Sequence, residues 1–332
     1  LPEVNLMRHK GVSYAKYGYI FCIPFVLAFL IFSLYPILYT AVIGFTDLKG
    51  LGRTDFQFLE NPLQNFITVI KNGSFQQSLK NTIIIWVTNF IPQILLALLL
   101  TAWFTNRRNK IKGQGIFKVL FYMPNIITAA TIAILFYSLF GYPKGPVNDL
   151  LLNLGMIDEP VYFHMSKVNS RGVVSFIQFW MWYGHTMIIL ISGVLGINPE
   201  IFEASDIDGA NNVQTFFYVT LPNLRTILLY TLITSLIGGL NMYDIPKLYL
   251  MGGPDNATLT TSVFIYNQAF SGSYMYNRAA AASMIMFVII AILSAMIFFI
   301  MRDKDAVLLN KQKKRLQKEL RKAEKVARRA AE

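Results

Sequence analysis

Six apolar stretches, each long enough to cross a bilayer, constrain this chain more than any other feature. They cover residues 17–45, 82–104, 116–140, 173–195, 224–246 and 279–301. An α-helix rises about 1.5 Å per residue, so roughly twenty apolar residues span a hydrocarbon layer about 30 Å thick. That layer holds no water to satisfy backbone N–H and C=O groups, so each stretch has to close its hydrogen bonds internally, as a helix. The expected fold is therefore all-α: a polytopic membrane protein with six transmembrane helices. The balance of 54% hydrophobic against 14% charged residues agrees. The first stretch is too long for a signal-peptide core and is followed by further spans, so it is expected to be retained. Cys22 is the lone cysteine. It cannot form an internal disulfide and reads as a small buried hydrophobe.

The distribution of charge orients the chain. Net charge is +12, but residues 302–332 alone hold twelve Lys and Arg against five acids. The excess therefore belongs to a tail and does not describe a nucleic-acid partner. Twenty-one of the 30 Lys and Arg flank one side of the six spans: the N-terminus, the second connection, the fourth connection and the tail. The positive-inside rule makes that side cytoplasmic, with both termini there. The division expected is a cytoplasmic N-terminal segment (1–16), a six-helix domain (17–301) and a basic cytoplasmic tail (302–332). The tail is rich in helix formers and carries a thin apolar stripe, which suits a solvated helix or one held by anionic headgroups. The outer connections are about thirty residues long, a length usually functional or disordered.

The fourth connection (199–222) is too polar to enter lipid. A short helix over 200–210 would place Ile201, Phe202 and Ile207 on one side, with small residues at Ala204, Ser205 and Gly209 that let another backbone approach. Gly209 suits a helix end and Pro222 the first turn of the next helix. An interfacial helix lying on lipid would favour Lys and Arg on its polar face. This one carries Glu200, Glu203, Asp206 and Asp208, with no base before Arg225. An acidic knob suits a protein partner.

The knob also carries a pattern: Glu203-Ala204-Ser205, three residues, Gly209, nine residues, Val219, one residue, Leu221-Pro222. It resembles the cytoplasmic EAA loop of permease subunits in bacterial binding-protein-dependent ABC importers, with Ser205 for the second Ala as the departure. Ile207-Asp208-Gly209-Ala210 resembles the carbohydrate-uptake branch. So do Phe121-Tyr122-Met123-Pro124, Gly145-Pro146-Val147-Asn148, Ile197-Asn198-Pro199-Glu200 and Tyr243-Asp244-Ile245-Pro246. The likeness covers roughly residues 15–303 and is closest to the maltose-type permeases. It implies the type I importer permease fold, in the bacterial cytoplasmic membrane. It implies a second homologous permease, a cytoplasmic ATPase dimer and an extracellular or periplasmic sugar-binding protein as partners. ATP and Mg would belong to the ATPase. Glu203, Ala204, Ser205, Asp206, Asp208, Gly209, Leu221 and Pro222 would couple the spans to it, and Gly252, Gly253 and Pro254 would face the binding protein.

No catalytic constellation is present. There is no Gly-x-x-x-x-Gly-Lys-Ser/Thr loop, and His9, His164 and His185 have no zinc spacing, so no cofactor or metal is expected in this chain. Polar residues inside the spans say more, because lipid tolerates them poorly. Trp86, Asn89 and Gln93 share one helical face, as do Gln178, Trp182 and His185. Thr231, Thr234, Gly238, Asn241 and Asp244 form a third stripe, with Tyr243 beside it, and span three adds Asn125, Thr128 and Tyr137. Amides and aromatic faces suit a polyhydroxylated ligand; the same groups also serve as hydrogen-bonded glue between helices. Asp244 reads as an ion pair with Lys247 or a headgroup-level carboxylate, and His185 as a packing residue. The function expected is the permease subunit of an ATP-driven oligosaccharide importer. An ion-coupled carrier, which would need buried midplane carboxylates, and a non-transporting scaffold are the alternatives.

Overall fold

The computed structural model describes residues 15–108, 111–302, 312–320 and 323. The N-terminal segment through residue 14 and most of the basic tail lie outside these. Among the described residues the secondary structure is helical, apart from an isolated bridge between Thr46 and Phe58. The elements are α1 (Ala15–Phe29), α2 (Tyr35–Ile43), α3 (Gln64–Lys71), α4 (Gly73–Phe104), α5 (Gln114–Ile126), α6 (Ala129–Leu139), α7 (Pro146–Asn153) and α8 (Lys167–Leu195). They continue with α9 (Pro199–Ile207), α10 (Asn212–Gln214), α11 (Leu221–Asn223), α12 (Arg225–Leu240), α13 (Asp244–Leu250), α14 (Thr261–Phe270) and α15 (Tyr276–Met301).

Among the described residues, five spans are long and apolar enough to cross a membrane: Lys16–Ile43, Gly73–Phe104, Lys167–Leu195, Arg225–Leu250 and Tyr276–Met301. The third expected span, 116–140, is not continuous: α5 and α6 meet at 92°. Two features make the break. Pro124 brings no N–H to the last turn of α5, and Ile127 is extended. Thr128 is extended as well and caps α6, its side chain accepting from Thr131 N–H. Two spans also begin well before their apolar stretches. The added turns of α4 bury Phe75, Ser78 and Asn81 against protein, so they need not be apolar throughout.

Wide π-type turns at Leu30–Leu34 and Thr215–Thr220 share one cause. Each is followed by a proline, Pro36 or Pro222, that has no N–H for the carbonyl four residues back. The preceding residue bonds five back instead: Tyr35 N–H to Leu30, Leu221 N–H to Phe216.

The chain forms two compact units: Leu1–Val69 with Gln268–Met284, and Ile70–Asn267 with Ile285–Glu332. In the first, buried Asn65 donates to the carbonyls of Gly44 (2.9 Å) and Thr46 (2.8 Å), and Asn277 donates to its Oδ1 (3.2 Å). Gly44 is packed so that an added Cβ would lie 3.2 Å from the Phe66 ring. Span one buries none of its most apolar window, and Cys22 is exposed, not buried as the sequence suggested. In the second unit, α4 and α8 pack along their length. Gln93 Nε2 donates across them to Thr186 Oγ1 at 2.7 Å. Bonds of this kind in membranes are worth about 0.6–2 kcal/mol. Gly184 lets α8 approach α5, where any Cβ would overlap the Phe121 carbonyl. A core of Ile85, Ile132, Phe136, Ile177, Met181, Ile245 and Tyr249 joins α4, α6, α8 and α13.

Candidate functional site

A cavity of about 310 Å³ opens among α4, α8, α12 and α13. Each helix contributes the face its spacing suggested. Trp86, Asn89 and Gln93 line it from α4, and Gln178, Trp182 and His185 from α8. Thr231, Thr234 and Gly238 line it from α12; Asn241, Tyr243 and Asp244 from the break between α12 and α13 and the start of α13. That break matters, because Leu240 ends the regular helix and the next four residues turn into the cavity. The Trp86 indole is fixed by stacking on Phe90 (centroids 5.7 Å apart) and by an Nε1–H bond to Ser235 Oγ (3.3 Å). Asn89 and Asn241 donate to carbonyls one turn back, of Ile85 (2.8 Å) and Ile237 (2.9 Å). Thr231 Oγ1 is buried with no partner among the described residues.

The three candidates of span three, Asn125, Thr128 and Tyr137, do not line the cavity; Thr128 is spent on capping α6. Asn125 donates to the Met181 carbonyl (3.3 Å), bridging α5 to α8. Tyr137 stacks face-on against His164, centroids 4.4 Å apart, and lies edge-on to Tyr249. Tyr137 lies on α6, beyond the 92° bend, whereas Asn125 lies on α5, before it. Asp244 has no ion pair among the described residues. Lys247 donates instead to Asn267 Oδ1 (2.9 Å) and lies over the Tyr266 ring (4.8 Å). His185 makes the packing contacts expected of it, edge-on to Trp182 at 5.6 Å, but also lines the cavity. Sequence reasoning missed Tyr230 and Ser235, which also line it. Tyr230 is one turn before Thr234, so extending the stripe backwards would have found it.

The fourth connection folds as α9, capped by Asn198, whose side chain accepts from Glu200 N–H at 3.1 Å, with Pro199 in the first turn. Gly209 has φ +75° and closes the helix: Gly209 N–H bonds Asp206 O (3.1 Å) and Ala210 N–H bonds Ser205 O (3.0 Å). The apolar side divides. Phe202 is buried with Val194 and Leu224, so the end of α8 and the start of α12 clasp it. Ile207 is 87% exposed, beside exposed Ala204 and Gly209, and Ser205 is buried. Leu221 is half-buried and Pro222 exposed. The acids are partly neutralised from the second connection, which the sequence did not suggest. Arg108 Nη2 lies 2.6 Å from Asp206 and 2.7 Å from the Ala210 carbonyl, and Arg107 lies 3.9 Å from Glu203. Asp208 has no such partner among the described residues.

The sequence matches the family described as binding-protein-dependent transport system inner membrane component over residues 67–304. The chain belongs to that family. It is 30% identical over 304 residues to the lactose transport system permease protein LacF of Rhizobium radiobacter, covering 90% of this chain and 97% of that protein. It is 29% identical to the arabinooligosaccharides transport system permease protein AraP of Bacillus subtilis (strain 168), covering 85% of this chain and 88% of that one. The fold matches a chain in the crystal structure of a bacterial ABC transporter involved in the import of the acidic polysaccharide alginate. There the TM-score is 0.72 with 21% identity, over 88% of this chain and 96% of that one. A further structure, of a bacterial alginate ABC transporter with an alginate pentasaccharide-bound periplasmic protein, matches with TM-score 0.70 and 22% identity.

In this inner-membrane component the segment after α13 is a pinned turn. Gly252 (φ +92°) is buried against Leu259, and Thr258 N–H returns to its carbonyl at 3.1 Å. Gly253 and Pro254 are half-buried. Asn81 donates to the carbonyls of Asn256 (2.6 Å) and Leu259 (3.0 Å), and Lys167 pairs with Asp255 at 3.3 Å. Exposed Met251, Asp255 and Asn256 form the tip.

Proposed function

We propose that this chain is one permease subunit of an ATP-driven, binding-protein-dependent importer of oligosaccharides, providing half of the path. The cavity carries the reading: four amides (Asn89, Gln93, Gln178, Asn241) and four aromatic rings (Trp86, Trp182, Tyr230, Tyr243) converge on one space. Amides donate to and accept from hydroxyls, and aromatic faces cover the C–H surfaces of a sugar ring. The names of the relatives, a lactose and an arabinooligosaccharide permease, support the same class.

Coupling runs through the 199–222 loop. Ala204, Ile207 and Gly209 present the free face to a cleft in a cytoplasmic ATPase, while Arg107 and Arg108 hold the adjacent acids Glu203 and Asp206. Phe202 is clasped between α8 and α12, and both helices line the cavity. A push on the loop when the ATPase closes on ATP therefore moves two cavity walls together. Both termini face the cytoplasm, and the turn at Met251–Asn256 faces the binding protein. The partners are a second permease, an ATPase dimer and a binding protein.

Capture of the tagged chain from native membranes in mild detergent tests this. Co-purification of a second six-span permease and a P-loop ATPase, with ATPase turnover stimulated by sugar-loaded binding protein, is the expected result. Recovery of this chain without an ATPase would overturn it.

A further inference from the structure

The cavity lining is unbalanced in charge. Among its residues stand one carboxylate, Asp244, and one imidazole, His185, with no Lys or Arg. The nearest base along α13, Lys247, is turned away, its Nζ bonded to Asn267 and lying over Tyr266. Asp244 is exposed and unpaired among the described residues, so its charge faces the space a ligand would occupy. The rest of the lining is neutral: amides, hydroxyls, two tryptophans and two tyrosines.

We infer that the path selects against acidic sugars and takes uncharged saccharides, with Asp244 as the charge-selecting residue. This rests on the oligosaccharide reading above and narrows it. A uronate entering the cavity would bring a carboxylate towards Asp244 with no cation from this chain to offset it. In a partly aqueous space the repulsion of two charges about 6 Å apart corresponds to roughly a tenfold loss of affinity. A neutral saccharide meets no such repulsion, and its hydroxyls can donate to Asp244. The fold neighbour that serves alginate import is 21% identical and fixes only the fold, so its acidic cargo does not carry over.

The test uses the whole importer, purified with its co-purifying subunits and placed in nanodiscs without binding protein, so that only the membrane path is probed. Saturation-transfer NMR would follow lactose, maltotriose, xylotriose and arabinotriose as neutral probes and trigalacturonate as the anionic one. Neutral probes should bind, with trigalacturonate at least about tenfold weaker. Asp244→Asn should preserve assembly and narrow the ratio of neutral to anionic affinity, and Asp244→Lys should close or reverse it. Trigalacturonate binding wild type as well as the neutral probes, or unmoved by D244K, would overturn the charge selection and leave the saccharide path standing. Absence of binding by every probe, in an assembly that still hydrolyses ATP, would overturn the saccharide path itself.

Discussion

Gly238 and Gly239 are neighbours on α12 and make opposite demands. A Cβ at Gly238 would meet nothing, because that position opens into the cavity. One at Gly239 would overlap the Trp86 indole. Gly238→Ala should leave stability within about 1 kcal/mol of wild type, since alanine is the better helix former. Gly239→Ala should cost about 1–3 kcal/mol by overpacking and expel Trp86 from its place. Thermal unfolding and tryptophan emission of the two variants would show the difference. His164 gives a second residue-scale test. Its Nε2 is buried with no partner among the described residues, and burial lowers its pKa from the ordinary 6.5. The folded state thus favours the neutral ring. Its contribution is complete above about pH 6.5 and is lost as pH falls from there through the lowered folded value. Melting temperature should fall between pH 7.5 and 5. His164→Phe, which keeps a flat ring on Tyr137, should flatten that slope; an unchanged slope would count against His164 as its source.

At the scale of elements, α9 is short, and its ends hold it in place. Asn198 caps the start and Gly209 closes the end at φ +75°. Gly209→Val would force a β-branched residue into left-handed backbone, a strain of about 1–3 kcal/mol. The expected outcome is loss of binding-protein-stimulated ATPase turnover with the subunits still assembled. Arg108→Ala removes the 2.6 Å pair to Asp206 and the bond to Ala210. The pair is exposed, so stability should change by less than about 1 kcal/mol. Coupling should fall because the loop loses its tether to the second connection. Turnover measured with and without loaded binding protein separates the two effects.

For the whole molecule the prediction concerns orientation. The Lys and Arg count predicts that both termini and the 199–222 loop lie on the cytoplasmic side. In a Cys22→Ala background, a cysteine at Asp255 should react with an impermeant maleimide from outside intact cells. A cysteine at Gln317 should react only in inverted vesicles. The reverse pattern would invert the topology and with it the placing of the coupling loop.

The sequence alone determined the class, the spans and three faces of the cavity. Lipid excludes unpaired polar groups, so apolar length and helical spacing are written directly into the chain. Trp86, Asn89 and Gln93 had to share a side, and so did Gln178, Trp182 and His185. The break of the third span was less legible. Pro124 and Thr128 are visible in the sequence, but many membrane helices carry proline without bending by 92°. That break depends on what α5 and α6 pack against, and neither Asn125 on α5 nor Tyr137 on α6 lines the cavity. Side-chain partners were decided by the tertiary structure alone. Sequence proximity paired Asp244 with Lys247, but packing gave Lys247 to Asn267 and Tyr266 and left Asp244 facing the cavity. Arg108 and Asp206 lie 98 positions apart and meet because α4, α8 and α9 bring their ends together. Periodicity fixes which residues share a face; the folded chain alone fixes which charge each face meets.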